Sequence, residues 1–185
     1  MTQTKVRLWN VEEYHRMLAA GIIAPDERVE LIAGQVIPMS AKNPPHAAIT
    51  LCASDYLKRL LAGVALVRVQ DPVQLSQYSE PEPDIATVRI EPRKYIDHHP
   101  TADEVFLLIE VADTTLETDR KQKAPLYAQG GISEYWILDV NKFQVYVFRE
   151  PNGEAYTQEF ILEENATLSL VAFPKIDIQI SQLFP

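Results

Sequence analysis

Asp84, Glu110 and Lys123 are the residues from which chemistry can be assembled. Asp84 ends the stiff acidic run Ser79-Glu-Pro-Glu-Pro-Asp84, ahead of the short apolar segment Ile85-Ala-Thr-Val-Arg89. Glu110 breaks a nearly continuous apolar run between Glu104 and Val111, a pattern that predicts a strand buried on both faces. A carboxylate in such a strand costs several kcal/mol unless it is paired or bound to metal. Two carboxylates at neighbouring strand ends, with a backbone carbonyl such as that of Val111, make a hard oxygen donor set suited to Mg²⁺ or Mn²⁺. Such an ion polarises a phosphoryl oxygen and activates water. Lys123 would place positive charge near the attacking water or the charge developing on phosphorus.

Each residue also has an ordinary reading. Asp84 suits a turn before a strand, Glu110 the partner of a buried arginine or lysine, and Lys123 a solvated helix lysine paired with Asp119. Glu30 reads equally as an edge-strand charge, and His46 as a loop histidine at a helix start.

The elements that must position these groups follow from the spacing of apolar residues. Val11, Tyr14, Met17 and Leu18 predict a short helix with Asn10 as its cap. Glu27 to Met39 reads as a hairpin turning at Ala33-Gly34 with Glu30 in its first strand, and Ala47 to Leu61 as an amphipathic helix. Val64 to Leu75 gives a strand or two, interrupted at Asp71-Pro72. Glu91 to Asp103 is the longest loop, with His98 and His99 expected in solvent. Thr114 to Gln129 predicts a helix that puts Asp119, Lys123 and Tyr127 roughly on one face, loosened or kinked by Pro125 and stopped at Gly130-Gly131. Strands follow at Ile132 to Val140, Phe143 to Arg149, Ala155 to Leu162, Ala166 to Val171 and Ile176 to Ile180, with turns at Asn141-Lys142 and Pro151-Asn152-Gly153. The order predicts an α/β (α+β) mixed sheet flanked by helices, carrying extra C-terminal strands.

The chain has 185 residues, 46% of them hydrophobic, which fits a single domain over residues 1–185. Cys52 is the one cysteine, excluding an intramolecular disulfide and a cysteine zinc cluster. No apolar run reaches the roughly 18 residues of a membrane span, and the stretch from Met1 to Trp9 lacks the core of an export signal. A cytoplasmic protein without a membrane partner is expected. The formal net charge of −9 is the wrong sign for broad phosphate neutralisation. Engagement of nucleic acid would then rest on a bound cation and a local basic patch of Lys42, Lys58, Arg59, Arg120 and Lys121.

Glu30-Leu-Ile-Ala-Gly34, Met39-Ser, His46, Pro83-Asp84-Ile-Ala, Ile109-Glu110-Val111 and the block from Asp119 to Asp139 occur in that order, and together they resemble the Uma2 family. That family, also called DUF820 and abundant in cyanobacteria, belongs by its resemblance to the PD-(D/E)XK nuclease superfamily. The resemblance implies a restriction-endonuclease-like core and a Mg²⁺- or Mn²⁺-dependent endonuclease acting on DNA. Asp84 and Glu110 would be its metal ligands, Glu30 the glutamate completing the site, and His46 a histidine the family often has nearby. Where the superfamily pattern has a lysine two residues past the glutamate this chain has Ala112, so the lysine role would fall to Lys123. Two other functions fit the acidic charge and Ala112: a catalytically silent module that binds a protein, with homodimerisation expected, and a hydrolase of small phosphorylated substrates.

Overall fold

The computed structural model describes residues 6–185; residues 1–5, part of the stretch read above for an export signal, lie outside them. Helix α1 (Val11–Ala19) starts at Asn10, whose side chain accepts from the Glu13 N–H at 2.8 Å while the Glu13 carboxylate accepts from the Asn10 N–H at 3.2 Å. Strands β1 (Val29–Ile32) and β2 (Gln35–Pro38) form the expected hairpin. Its turn residues Ala33 and Gly34 both have positive φ, 48° and 78°, which matches the right-handed twist of the flanking strands. Helix α2 (Pro44–Leu60) begins before the Ala47 start read from apolar spacing. Asn43 caps it by accepting from the His46 N–H at 3.1 Å, and Pro44 and Pro45 fill first-turn positions that need no N–H.

The main sheet runs from one edge to the other as β3 (Leu66–Val69), β4 (Ile85–Val88), β5 (Val105–Ala112), β6 (Glu134–Asp139), β7 (Gln144–Asn152) and β8 (Ala155–Leu162). Its pairs are antiparallel except β5 with β6, which run parallel. A parallel pair needs a crossover, and here it is helical: α3 (Leu116–Thr118), a π turn (Asp119–Lys123) and α4 (Ala124–Gln129). Strand β5 is buried on both faces, as its composition predicted. Leu107, Ile109 and Val111 pack under α2 and the C-terminal segments, while Leu108 and Ala112 pack with Tyr127, Tyr135 and Ile137 on the other side.

Pro125 produces the π turn rather than a simple kink. It has no N–H to return to the preceding turn, and the Ala124 N–H bonds the Asp119 carbonyl five residues back. Of the strand or two expected over Val64 to Leu75, β3 ends just ahead of the expected interruption at Asp71-Pro72, where Gln70 takes a positive φ of 56°. Pro151 and Asn152 belong to β7, so the hairpin turns at Gly153-Glu154. Among the described residues no helix is long and apolar enough to cross a membrane.

The tail forms a separate antiparallel hairpin of β9 (Thr167–Leu170) and β10 (Phe173–Gln179), tied to the main sheet by a buried carboxylate. Glu134, with 0% exposure, accepts from Arg149 at 2.6 and 2.9 Å, from the Trp136 indole at 2.9 Å and from the Val171 N–H at 2.8 Å. Arg149 also donates to the Ser169 carbonyl at 2.6 Å. Glu134→Ala leaves the arginine buried and unpaired, and urea titration should show a loss of about 3–5 kcal/mol.

Candidate active site

The site begins where β4 stops pairing with β5. The last matched pair is Ile85 with Ile109, so at Val111 the edge of β5 that faces β4 has no strand beside it among the described residues. The Asp84 carboxylate takes that place: its Oδ2 accepts the Val111 N–H at 2.9 Å. The N–H and C=O of a strand residue lie on the same edge, so the Val111 carbonyl faces this opening as well. Asp84 Oδ2 also bonds His46 Nε2 at 2.9 Å, and Oδ1 accepts from the Gln70 amide at 3.3 Å. His46 holds a defined position because its backbone is the first turn of α2 and Thr50 donates to its carbonyl at 2.9 Å.

Glu110 projects toward the crossover helix. Its Oε1 accepts from the Tyr127 hydroxyl at 2.6 Å and from Lys123 Nζ at 2.8 Å. Lys123 Nζ also lies 3.7 Å from Glu30, whose other oxygen accepts the Glu82 N–H at 3.1 Å. The π turn thus aims Lys123 inward. The i,i+4 pairing of Lys123 with Asp119 does not form; Asp119 accepts from the Thr115 hydroxyl at 2.6 Å instead. Glu30 is buried, not an edge-strand charge.

All five side chains named from sequence, Asp84, Glu110, Lys123, Glu30 and His46, line one cleft of about 390 Å³, together with Val111. Sequence reasoning missed two of the cleft's features. Lys42, read as part of a surface patch, is half-buried with its Nζ 3.8 Å from Asp84. Asp119, read as a helix-surface partner for Lys123, is a fourth buried carboxylate beside Glu30, Asp84 and Glu110. The patch itself disperses: Lys58 pairs with Asp55, and Arg120 and Lys121 pair with Glu117. Lys58 lies three turns of α2 beyond His46, about 18 Å along the axis.

The electrostatics separate the two central carboxylates. Burial pushes Glu110 from its ordinary 4.5 up to about 8 against the pull of Lys123, and Asp84 and Asp119 push it the same way. Burial also works to raise Asp84, but the hydrogen bond and charge of His46, the Val111 N–H and Lys42 outweigh it and hold the carboxyl below its ordinary value. For Lys123, burial lowers the pKa but Glu110 and Glu30 override it, so the ammonium stays charged. Burial lowers Lys42. Four buried carboxyl groups facing two lysines gather more hard oxygen donors than the lysines can engage, which fits a divalent cation held by Asp84, Glu110 and the Val111 carbonyl, with Glu110 giving up its proton as the ion binds.

The family model described as "Putative restriction endonuclease", Uma2, matches residues 11–181. The chain belongs to the Uma2 family. The fold is also that of a crystal structure of a "putative nuclease belonging to DUF820" from Anabaena variabilis, with a TM-score of 0.74 and 16% identity over 95% of this chain and 97% of that one. No curated protein matches. In this Uma2 chain the expected solvation of His98 and His99 holds only in part. His98 is exposed, whereas His99 is half-buried against Glu80 and its pKa is lowered, chiefly by burial.

A carboxyl raised by folding contributes stability that is complete below its unfolded pKa and is lost as pH rises through the folded one. Glu110→Gln cannot ionise, so without divalent ions its stability relative to the parent should climb between pH 4.5 and about 8 and level off above. Urea titrations across that range should show a swing of up to about 5 kcal/mol, since each pK unit is worth about 1.4 kcal/mol, and a flat difference would remove the raised Glu110 pKa.

Proposed function

We propose that the cleft hydrolyses phosphodiester bonds of DNA with Mg²⁺ or Mn²⁺ held by Asp84, Glu110 and the Val111 carbonyl. The observation that carries this reading is the meeting of Asp84 and Glu110, from neighbouring strands, with a charged lysine 2.8 Å from Glu110 in one cleft. The bound ion would supply Lewis-acid polarisation of the phosphoryl group and a water of lowered pKa. The protein's own groups do the rest. His46 and the Val111 N–H fix the Asp84 carboxylate, and the Tyr127 hydroxyl fixes Glu110. Lys123, held by Glu110 and Glu30, is placed to stabilise charge that grows on the phosphoryl oxygens in the transition state. Lys42, whose buried Nζ has no hydrogen-bond partner among the described residues and lies 3.8 Å from Asp84, can take a phosphate oxygen. Glu30 acts as a positioning residue by orienting Lys123.

The dispersed surface cations and the net charge of −9 favour contact with a short stretch of backbone over a long groove. Purified protein incubated with Mg²⁺ or Mn²⁺ and single-stranded, duplex or branched DNA should cleave at least one form. Asp84→Ala should abolish cleavage, and Lys123→Ala should lower the rate about 10²-fold or more while leaving Mn²⁺ binding in place. No cleavage above the Asp84→Ala background, with either metal and every DNA form, would overturn the proposal.

A further inference from the structure

A second cluster of ligating groups lies at the head of the segment that leads into Asp84. His15 on α1, Glu80 ahead of the two prolines, and His99 in the long loop offer ligand atoms that all lie within 4.8 Å of one another. His15 Nε2 is 2.7 Å from Glu80 Oε1, and the two imidazole rings meet edge-on with centroids 6.1 Å apart. The Glu80 side chain is only 2% exposed, yet its Oε2 has no hydrogen-bond partner among the described residues, and neither has the buried Nδ1 of His99. Two buried acceptor-capable atoms without donors, side by side, are costly and uncommon. The neighbouring cation, Arg68, is drawn away to Asp71 at 3.5 Å and over the Tyr95 ring.

We propose that His15, Glu80 and His99 bind a borderline divalent ion such as Zn²⁺. Two imidazoles and one carboxylate are a nitrogen-rich set that favours Zn²⁺ or Co²⁺ over Mg²⁺, in contrast with the all-oxygen cleft around Asp84. The site opens to solvent through the half-exposed His15, beside a hollow also lined by Glu12, Asp97 and His98, which leaves room for a water as fourth ligand. An ion here would join three stretches that are far apart in sequence: α1, the loop from residue 91 to 100, and the strand-like run from Ser79 to Asp84. Its effect would be to fix the loop and the approach to the cleft, and it does not depend on the cleft being a nuclease.

The experiment uses Asp84→Ala protein, so that the cleft contributes no binding of its own. Titrated with Co²⁺, this protein should bind a single equivalent and develop the visible absorption of a four-coordinate nitrogen and oxygen site. Zn²⁺ should displace the Co²⁺ and raise the urea midpoint. His99→Ala and, separately, His15→Ala should weaken Co²⁺ binding at least about tenfold and erase the Zn²⁺ stabilisation. His15 is half-exposed on a helix surface, and His15→Gln, which keeps a donor for the buried Glu80 carboxylate but removes the imidazole ligand, gives the same readout where either alanine variant fails to fold. Absence of stoichiometric Co²⁺ binding, or binding of equal strength and spectrum in the His15→Ala protein, would overturn the proposal.

Discussion

The organisation of the cleft depends on the crowding of four buried carboxyl groups. Glu30, Asp84, Glu110 and Asp119 are each at least nine-tenths buried, and each would be expensive alone. Their neighbours are arranged to distribute that expense. Asp84 is kept ionised by a backbone N–H and an imidazole, Asp119 by burial is pushed toward its neutral form with a hydroxyl at hand, and Glu110 shares a lysine with Glu30. The result is two central carboxyl groups in one cleft with opposite pKa displacements, an arrangement typical of sites that handle protons and cations.

The ion pair between Lys123 and Glu110 unites two readings that looked exclusive in the sequence. A buried glutamate paired with a lysine is an ordinary structural device, and here the same lysine lines the cleft. The pair exists because the helix is locally unwound. In a regular helix the residues ahead of Pro125 would carry an unbonded carbonyl and a strained ring contact. The wider turn removes the conflict and redirects Asp119 and Lys123 together. Local backbone irregularity is thus the means by which a lysine of the crossover helix reaches the carboxylates.

Much of this was legible in the chain. Glu110 could be read because a carboxylate inside an apolar run has few ordinary explanations, and Asn10 because a cap followed three residues later by glutamate specifies a helix start. The early start of α2 was obscured by Pro44 and Pro45, which look like breakers yet suit a first turn. The aim of Lys123 was not readable, since a change from one hydrogen-bond register to another leaves no trace in residue spacing. Lys42 lies in a connecting segment with no period to place it. His99 was read as solvated because its partners are distant, with His15 and Glu80 alone 65 residues apart. Local patterns report burial well and long-range convergence poorly.

The segment from Ser79 to Asp84 carries a consequence for the unfolded chain. Pro81 and Pro83 each fix φ, and each confines the residue before it to extended backbone, so Glu80 and Glu82 have little freedom even before folding. In the folded protein the segment exchanges backbone bonds with Leu31, and its Pro81 carbonyl accepts the Val73 N–H at 2.9 Å. Because few conformations are surrendered, ordering this run costs less entropy than ordering a flexible loop of the same length. Asp84 is therefore delivered to the end of its strand by a stretch of chain that was already extended, and little of the folding free energy is consumed in holding it there.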